Sequence, residues 1–256
     1  MASEASPSSV TSKVPNAWRE EPLAATGLPP STVMPRTADA VAAAVVANES
    51  VVVVDAFATP VEVEMLLKEG DRAERESLHN PLTSDSTRLR IEVYGREFPN
   101  QRSVPMLAAP VRALTETLVR RAIAFVQAEL PALAHSVGLA SCRAETKLRY
   151  SEGEPGINIY TGPGGSFQPH MDMQALTLLV PLSSAGVDYE GGGTAFYAPD
   201  AQLGDARRGK ISPIALLRPE AGHAMLWNGT LLHAGAEVTS GRRLVFVASF
   251  TPCDLS

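Results

Sequence analysis

Two histidines and an aspartate in this chain are spaced so that they could meet at one point. In Phe167-Gln-Pro-His170-Met-Asp172 the imidazole and the carboxylate stand two residues apart, and on an extended strand that spacing turns both to one side. A His-x-Asp pair alone is a weak signal, because a histidine held by a carboxylate for structural reasons is spelled the same way. Near the C-terminus Leu232-His233-Ala-Gly235 supplies a second imidazole, and Arg243 opens the apolar run Leu244-Val-Phe-Val-Ala-Ser-Phe250. Two imidazoles and one carboxylate form the donor set that grips Fe(II) on one face and leaves its other positions open. An arginine on the next strand is the residue type that holds a remote carboxylate by two parallel hydrogen bonds. Together these residues call for Fe(II), a bidentate 2-oxo acid, and a guanidinium at the far end of that acid.

The rivals are few, since the chain has five histidines. His223 follows Gly222 at a turn before Met225-Leu-Trp227 and has no matching basic residue on a following strand, so His233 is the better third donor. His79 and His135 fall in a loop and at a helix end, where a surface role suffices. Arg242 competes with Arg243, and strand alternation turns only one of them inward. Tyr189 and Gly191 to Gly193 read as a strand entry with close backbone approach.

These residues need a scaffold to position them. The 256-residue chain is 45% apolar, enough for a full core. Residues 1–36, rich in Pro, Ser and Ala, read as a flexible leader. Helices are expected from Thr37, as N-cap, to Ala47, and from Thr59-Pro60 to about Lys68, with the β-branched run Val51–Asp55 as a buried strand between them. Residues 70–104, with Arg88, Arg90, Arg96 and Arg102, read as a long, partly structured loop. From Leu107 to Leu130 the helical spacing of Val111, Leu114, Leu118, Ala122 and Phe125 predicts a helix lying across a sheet. After about Ala144 the pattern changes to short strands: 146–150, 157–160, 167–171, 175–182, 194–197, 214–217, 224–228, 231–233 and 243–250. Strands this short and this regularly spaced suggest an antiparallel barrel or jelly roll buttressed by the earlier helices. The expected organisation is one domain over 37–256, with helical and loop support over 37–143 and a catalytic core over 144–256.

The stretch Asn158-Ile-Tyr160-Thr-Gly-Pro-Gly-Gly-Ser-Phe167-Gln-Pro-His170-Met-Asp172 resembles the prolyl 4-hydroxylase-type branch of the Fe(II)/2-oxoglutarate-dependent oxygenases. Gly191-Gly-Gly-Thr194-Ala-Phe196, Pro219-Glu-Ala-Gly222, and His233 through Val238-Thr-Ser-Gly241-Arg-Arg243 extend the likeness over about the last hundred residues. The resemblance implies a mainly β fold with flanking helices (α+β), a double-stranded β-helix of the jelly-roll, cupin-like type. It makes His170, Asp172 and His233 the iron ligands and Arg243 the partner of the distal carboxylate of 2-oxoglutarate. Tyr160 falls where the branch often places a tyrosine that contacts the co-substrate, though a core aromatic would read the same. Thr177 could line the same pocket, and Gln174, just past the metal motif, could face substrate. The implied cofactors are Fe(II), with 2-oxoglutarate and O2 as co-substrates, and L-ascorbate as a further candidate. The reaction implied is hydroxylation of a C–H bond of a peptide, with prolyl the branch's example, or of a small molecule, with release of succinate and CO2. Relatives that halogenate lack the carboxylate ligand, so Asp172 points to hydroxylation.

Composition weighs the alternatives. A net charge of -6 disfavours the oxidative nucleic-acid demethylases that share this metal and co-substrate. A non-catalytic jelly-roll module would be expected to have lost a ligand or the arginine, and a zinc hydrolase using the same ligands would leave Arg243 without a task. No apolar run approaches the roughly 20 residues that span a bilayer, so no membrane partner is expected. Two cysteines make no disulfide framework. With no signal peptide evident, the cytosol is the expected compartment. Oligomeric state is not legible.

Overall fold

The computed structural model describes residues 17–23, 36–78, 87–92 and 106–253. Seven strands make the larger sheet, in the order β1 (Trp18–Pro22), β2 (Ser50–Val54), β11 (Ala224–Trp227), β7 (Leu176–Pro181), β12 (His233–Pro252), β5 (Gly156–Thr161) and β3 (Arg88–Glu92). The short β4 (Leu148–Tyr150) pairs with the far end of β12. The first part of β12 leaves that sheet to pair with β6 (Gly165–His170), β8 (Tyr189–Gly191) and β9 (Thr194–Phe196), with β10 (Ala215–Leu217) beyond β9. Every strand pairing is antiparallel, and the two sheets face each other as in a jelly roll.

Alternation along the central strands explains why they are apolar throughout rather than at every second position. Val52 and Val54, Leu226, Leu178 and Val180, Leu244, Phe246 and Phe250, and Ile157 and Ile159 face a core shared with the helices. Their neighbours Val51 and Val53, Met225 and Trp227, Leu179, Val245 and Tyr160 face a second core between the sheets. A strand buried on both faces reads as a continuous apolar run, and each large side chain so buried contributes about 2 kcal/mol.

The helices lie on the first core. Thr37 caps α1 (Ala38–Val46) by accepting from the Ala40 amide. Thr59 and Glu62 bond reciprocally at the start of α2 (Pro60–Leu78), each side chain taking the other's backbone N–H. In α3 (Ala109–Glu129) the expected stripe of Val111, Leu114, Leu118, Ala122 and Phe125 is buried, and α4 (Pro131–Ser136) packs against α1 and α3. A short α5 (Leu203–Arg207) lies beside β6. No helix among the described residues is long and apolar enough to cross a membrane.

Four expectations are corrected. Residues 18–22, placed in a flexible leader, form β1 along β2, because β2 would otherwise present an unpaired edge. Helix α2 continues ten residues past Lys68 to Leu78, where Arg72 is held by Glu69 and Glu76 across its turns. The segment read as a loop over 70–104 therefore holds the end of α2 and the strand β3; His79, Arg96 and Arg102 lie outside the described residues. The strands read at 231–233 and 243–250 are parts of the single strand β12, so His233 and Arg243 share one strand instead of occupying neighbours.

The half-buried Trp18 ring stands edge-on to Phe125, with centroids 6.4 Å apart. Trp18→Ala should lower the urea-unfolding free energy by about 2 kcal/mol. An unchanged midpoint would place β1 outside the cooperative unit.

Candidate active site

Strand pairing brings the two imidazoles together. His170 ends β6 and His233 opens β12, the two are cross-strand partners, and their ring centroids lie 4.3 Å apart. Each ring has its Nδ1 2.9 Å from the carbonyl two residues earlier, Gln168 for His170 and Leu231 for His233. Those carbonyls accept an Nδ1–H, which fixes the tautomer and leaves each Nε2 lone pair free. Both Nε2 atoms face Asp172, 3.4 Å from Oδ1 for His170 and 3.6 Å from Oδ2 for His233.

Asp172 is placed by a pinned loop. Its N–H and that of Met173 both donate to the Gly229 carbonyl at 2.9 Å, and the Ser151 hydroxyl donates to the Asp172 carbonyl at 2.8 Å. Met173 sits at φ 59°, which an L residue adopts only under such constraint. Gly229 is obligatory for packing, since a Cβ there would run into the Gln174 carbonyl. Thr177, on β7, donates to Asp172 Oδ2 at 2.6 Å.

Burial works against the charged form of Asp172, but His233, His170 and the Thr177 hydroxyl outweigh it and hold the carboxyl well below its ordinary range. Burial pushes the His233 imidazole down, toward the neutral form that ligates metal. The donor atoms of His170, Asp172 and His233 all lie within 4.8 Å of one another, a cluster that could hold one metal ion. Two imidazoles and one carboxylate on a single face fit Fe(II).

The same cavity contains Arg243, whose residue is only 3% exposed. Arg243 is the cross-strand partner of Tyr160, donates to the Thr194 hydroxyl at 3.1 Å, and has its guanidinium carbon 5.3 Å from the Tyr160 ring centroid. Among the described residues no carboxylate forms an ion pair with it. A guanidinium buried this far needs an anion, so the arrangement fits an acid whose other end reaches the triad. Leu179, Val245, Phe167 and Trp227 supply apolar walls.

Residues 155–250 match the family model described as the 2OG-Fe(II) oxygenase superfamily. The match covers the segments that hold His170, Asp172, His233 and Arg243. The chain is 38% identical over 87 residues to the multifunctional procollagen lysine hydroxylase and glycosyltransferase LH3 of Rattus norvegicus, which covers 34% of this chain and 10% of that protein. It thus spans about a tenth of the length of the curated relatives it matches. Among solved structures, a Pseudomonas putida prolyl-4-hydroxylase aligns with a TM-score of 0.52 at 15% identity, covering 85% of this chain and 100% of that one. A Trichoplax adhaerens prolyl hydroxylase in complex with a hypoxia inducible factor peptide fragment aligns with a TM-score of 0.50 at 11% identity, covering 84% and 89%. At these identities the two structures speak to the fold.

The remaining candidates are distributed as follows. Arg242 turns away from the cavity to the helical side and pairs with Asp71 at 2.9 Å and Glu74 at 2.7 Å on α2. His223 Nδ1 lies 3.0 Å from Asp55 Oδ1, outside the triad, and His135 is exposed in the last turn of α4. Two assignments need correction. Thr177 reaches Asp172 instead of presenting its hydroxyl to the co-substrate, and Gln174, expected to face substrate, turns its amide oxygen to the Thr251 hydroxyl at 2.7 Å. The loop after Asp172 turns back on itself under Gly229 and carries Gln174 away from the cavity. Thr194, Trp227, Asn158 and Glu154, to which no motif assigns a role, also line the cavity, as does Arg90 from the arginine-bearing segment before α3. Period-2 counting back from Tyr160 reaches Asn158, whereas Arg90 and Glu154 come from a strand and a turn that have no local spacing to the motif.

Thr177→Val keeps the shape and removes the hydroxyl that holds Asp172. Anaerobic titration should show divalent-metal affinity reduced about tenfold or more. Undiminished affinity would show that Asp172 is placed without it.

Proposed function

We propose that His170, Asp172 and His233 hold Fe(II), that Arg243 grips the distal carboxylate of 2-oxoglutarate beside Thr194 and Tyr160, and that the site hydroxylates a C–H bond. The single observation that carries this reading is the buried Arg243, with no ion-pair partner among the described residues, in one cavity with the three donors. When bound, the iron and co-substrate supply oxidising power through decarboxylation of 2-oxoglutarate to succinate and CO2. The chain's own residues bind and orient. Arg243 and Thr194 fix one end of the acid, the Gln168 and Leu231 carbonyls hold the imidazoles, and Leu179, Val245 and Trp227 keep water from the reacting atoms.

A peptide is the substrate class favoured by the likeness to a procollagen lysine hydroxylase and to a prolyl hydroxylase complexed with a peptide fragment. A small molecule is the second reading, since the chain spans so little of those relatives. The acidic net charge of -6 favours either over a nucleic acid.

Anaerobic addition of Fe(II) and 2-oxoglutarate should produce a visible metal-to-ligand charge-transfer band, and admission of air should release succinate, with L-ascorbate as a comparison arm. His170→Ala and His233→Ala should abolish both signals, and His223→Ala should keep them. Neither band nor succinate from the wild-type protein would overturn the proposal. Arg243→Ala should raise the 2-oxoglutarate concentration needed for the band at least about tenfold, the loss of one charge-assisted hydrogen-bonded pair. The same shift in Arg242→Ala, with Arg243→Ala unaffected, would reverse the assignment.

A further inference from the structure

The cavity has a second polar wall that neither the iron nor 2-oxoglutarate requires. Glu154, in the turn before β5, is 8% exposed and lines the cavity with the triad. One of its oxygens, Oε2, accepts the Ser249 N–H at 2.5 Å. The other, Oε1, has Arg90 Nη2 at 3.6 Å, outside hydrogen-bonding distance. Arg90 directs its better-placed donors elsewhere, Nε to Asn158 Oδ1 and Nη1 to the Glu152 carbonyl, both at 2.9 Å. A carboxylate has about four acceptor sites, so most of this one's capacity is unmet among the described residues.

Such a group is costly where it stands. Burial disfavours its charge, and the Asp172 carboxylate adds like-charge repulsion. The buried Ser249 N–H gives the fold a use for Oε2, and Arg90 offsets part of the charge, but neither supplies Oε1 with a hydrogen bond. The 2-oxo acid gives none either: it is an anion, and the cation that suits it is Arg243. The cavity therefore combines a cation for the acid, Arg243, with an acceptor, Glu154, and the three metal donors line it with them.

We infer that Glu154 is a substrate-recognising acceptor, and that the carbon oxidised belongs to a side chain carrying an N–H or O–H donor. A lysyl ammonium, an amide and a hydroxyl share that chemistry; the ring of an internal prolyl residue lacks it. The inference rests on the iron and 2-oxoglutarate reading and names the substrate class of that same site. A site built to hydrogen-bond a substrate rejects the analogue without the donor far more strongly than a hydrophobic pocket rejects a missing methylene.

The test uses the full chain loaded with Fe(II) and 2-oxoglutarate, and glycine-flanked pentapeptides with lysine, glutamine, serine, norleucine or proline at the centre. Succinate release above the peptide-free rate should be at least about 100-fold greater for the best donor-bearing peptide than for norleucine or proline. The order of lysine, glutamine and serine identifies the donor. In Glu154→Gln, and separately in Glu154→Ala, the discrimination should shrink to about tenfold or less, with the anaerobic charge-transfer band showing that each variant is folded and loaded. Stimulation by norleucine or proline equal to that by the donors, or by no donor peptide at all, overturns the inference, as does undiminished discrimination in a variant that keeps its band. If neither variant loads, the wild-type peptide series decides alone. A missing band in the wild-type protein defeats the iron and 2-oxoglutarate reading; a normal band with the wrong preference defeats only this one.

Discussion

Alternation of side chains along β12 is the constraint on which the site depends. This strand pairs with β6, β8 and β9 in its first part and with β5 and β7 in its second, so it belongs to both sheets. His233 at its start and Arg243 further along both reach the cavity between them, while Arg242 and Leu244 turn to the helical side. A slip of one residue would exchange Arg243 for Arg242 in the cavity and turn Leu244 and Phe246, which face the helical core, to the opposite side. Cross-strand neighbours then complete the arrangement, with Tyr160 opposite Arg243 and His170 opposite His233.

Charge at the site is managed by pairing within a dry space. Asp172 stays ionised because two imidazoles and a threonine hydroxyl offset the penalty of burial. Arg243 and Glu154 have no such full compensation among the described residues, and both line the cavity with the metal donors. An anion is drawn to the guanidinium and a hydrogen-bond donor to the carboxylate. The helices take no direct part, yet α2 anchors β12 through the pairs from Arg242 to Asp71 and Glu74, and Gly70 allows its close approach to Leu244.

Local spacing made the triad legible, because His170 and Asp172 lie within one short segment and the donor set is specific to few metals. The apolar stripe of α3 was legible for the same reason, being a pattern within one element. Features that depend on distant partners were not. β1 has an unremarkable sequence and becomes a strand only because β2 offers it an edge. β3 lies in polar sequence, yet Arg88 and Arg90 become strand residues because β5 pairs with them. Gln174 sits two residues past Asp172, where alternation would keep it at the cavity, but the turn under Gly229 breaks the alternation.

The sequence by itself determined the donor set of two histidines and an aspartate, the mainly β pattern after about Ala144, and the arginine pair that could serve an acidic co-substrate, because residue type and short-range periodicity carry that information. Tertiary structure decided which arginine faces inward, that Thr177 serves Asp172, and that Glu154 and Arg90 join the cavity. Those outcomes rest on strand pairing between segments far apart in the chain, where register, not composition, sets which side chains meet.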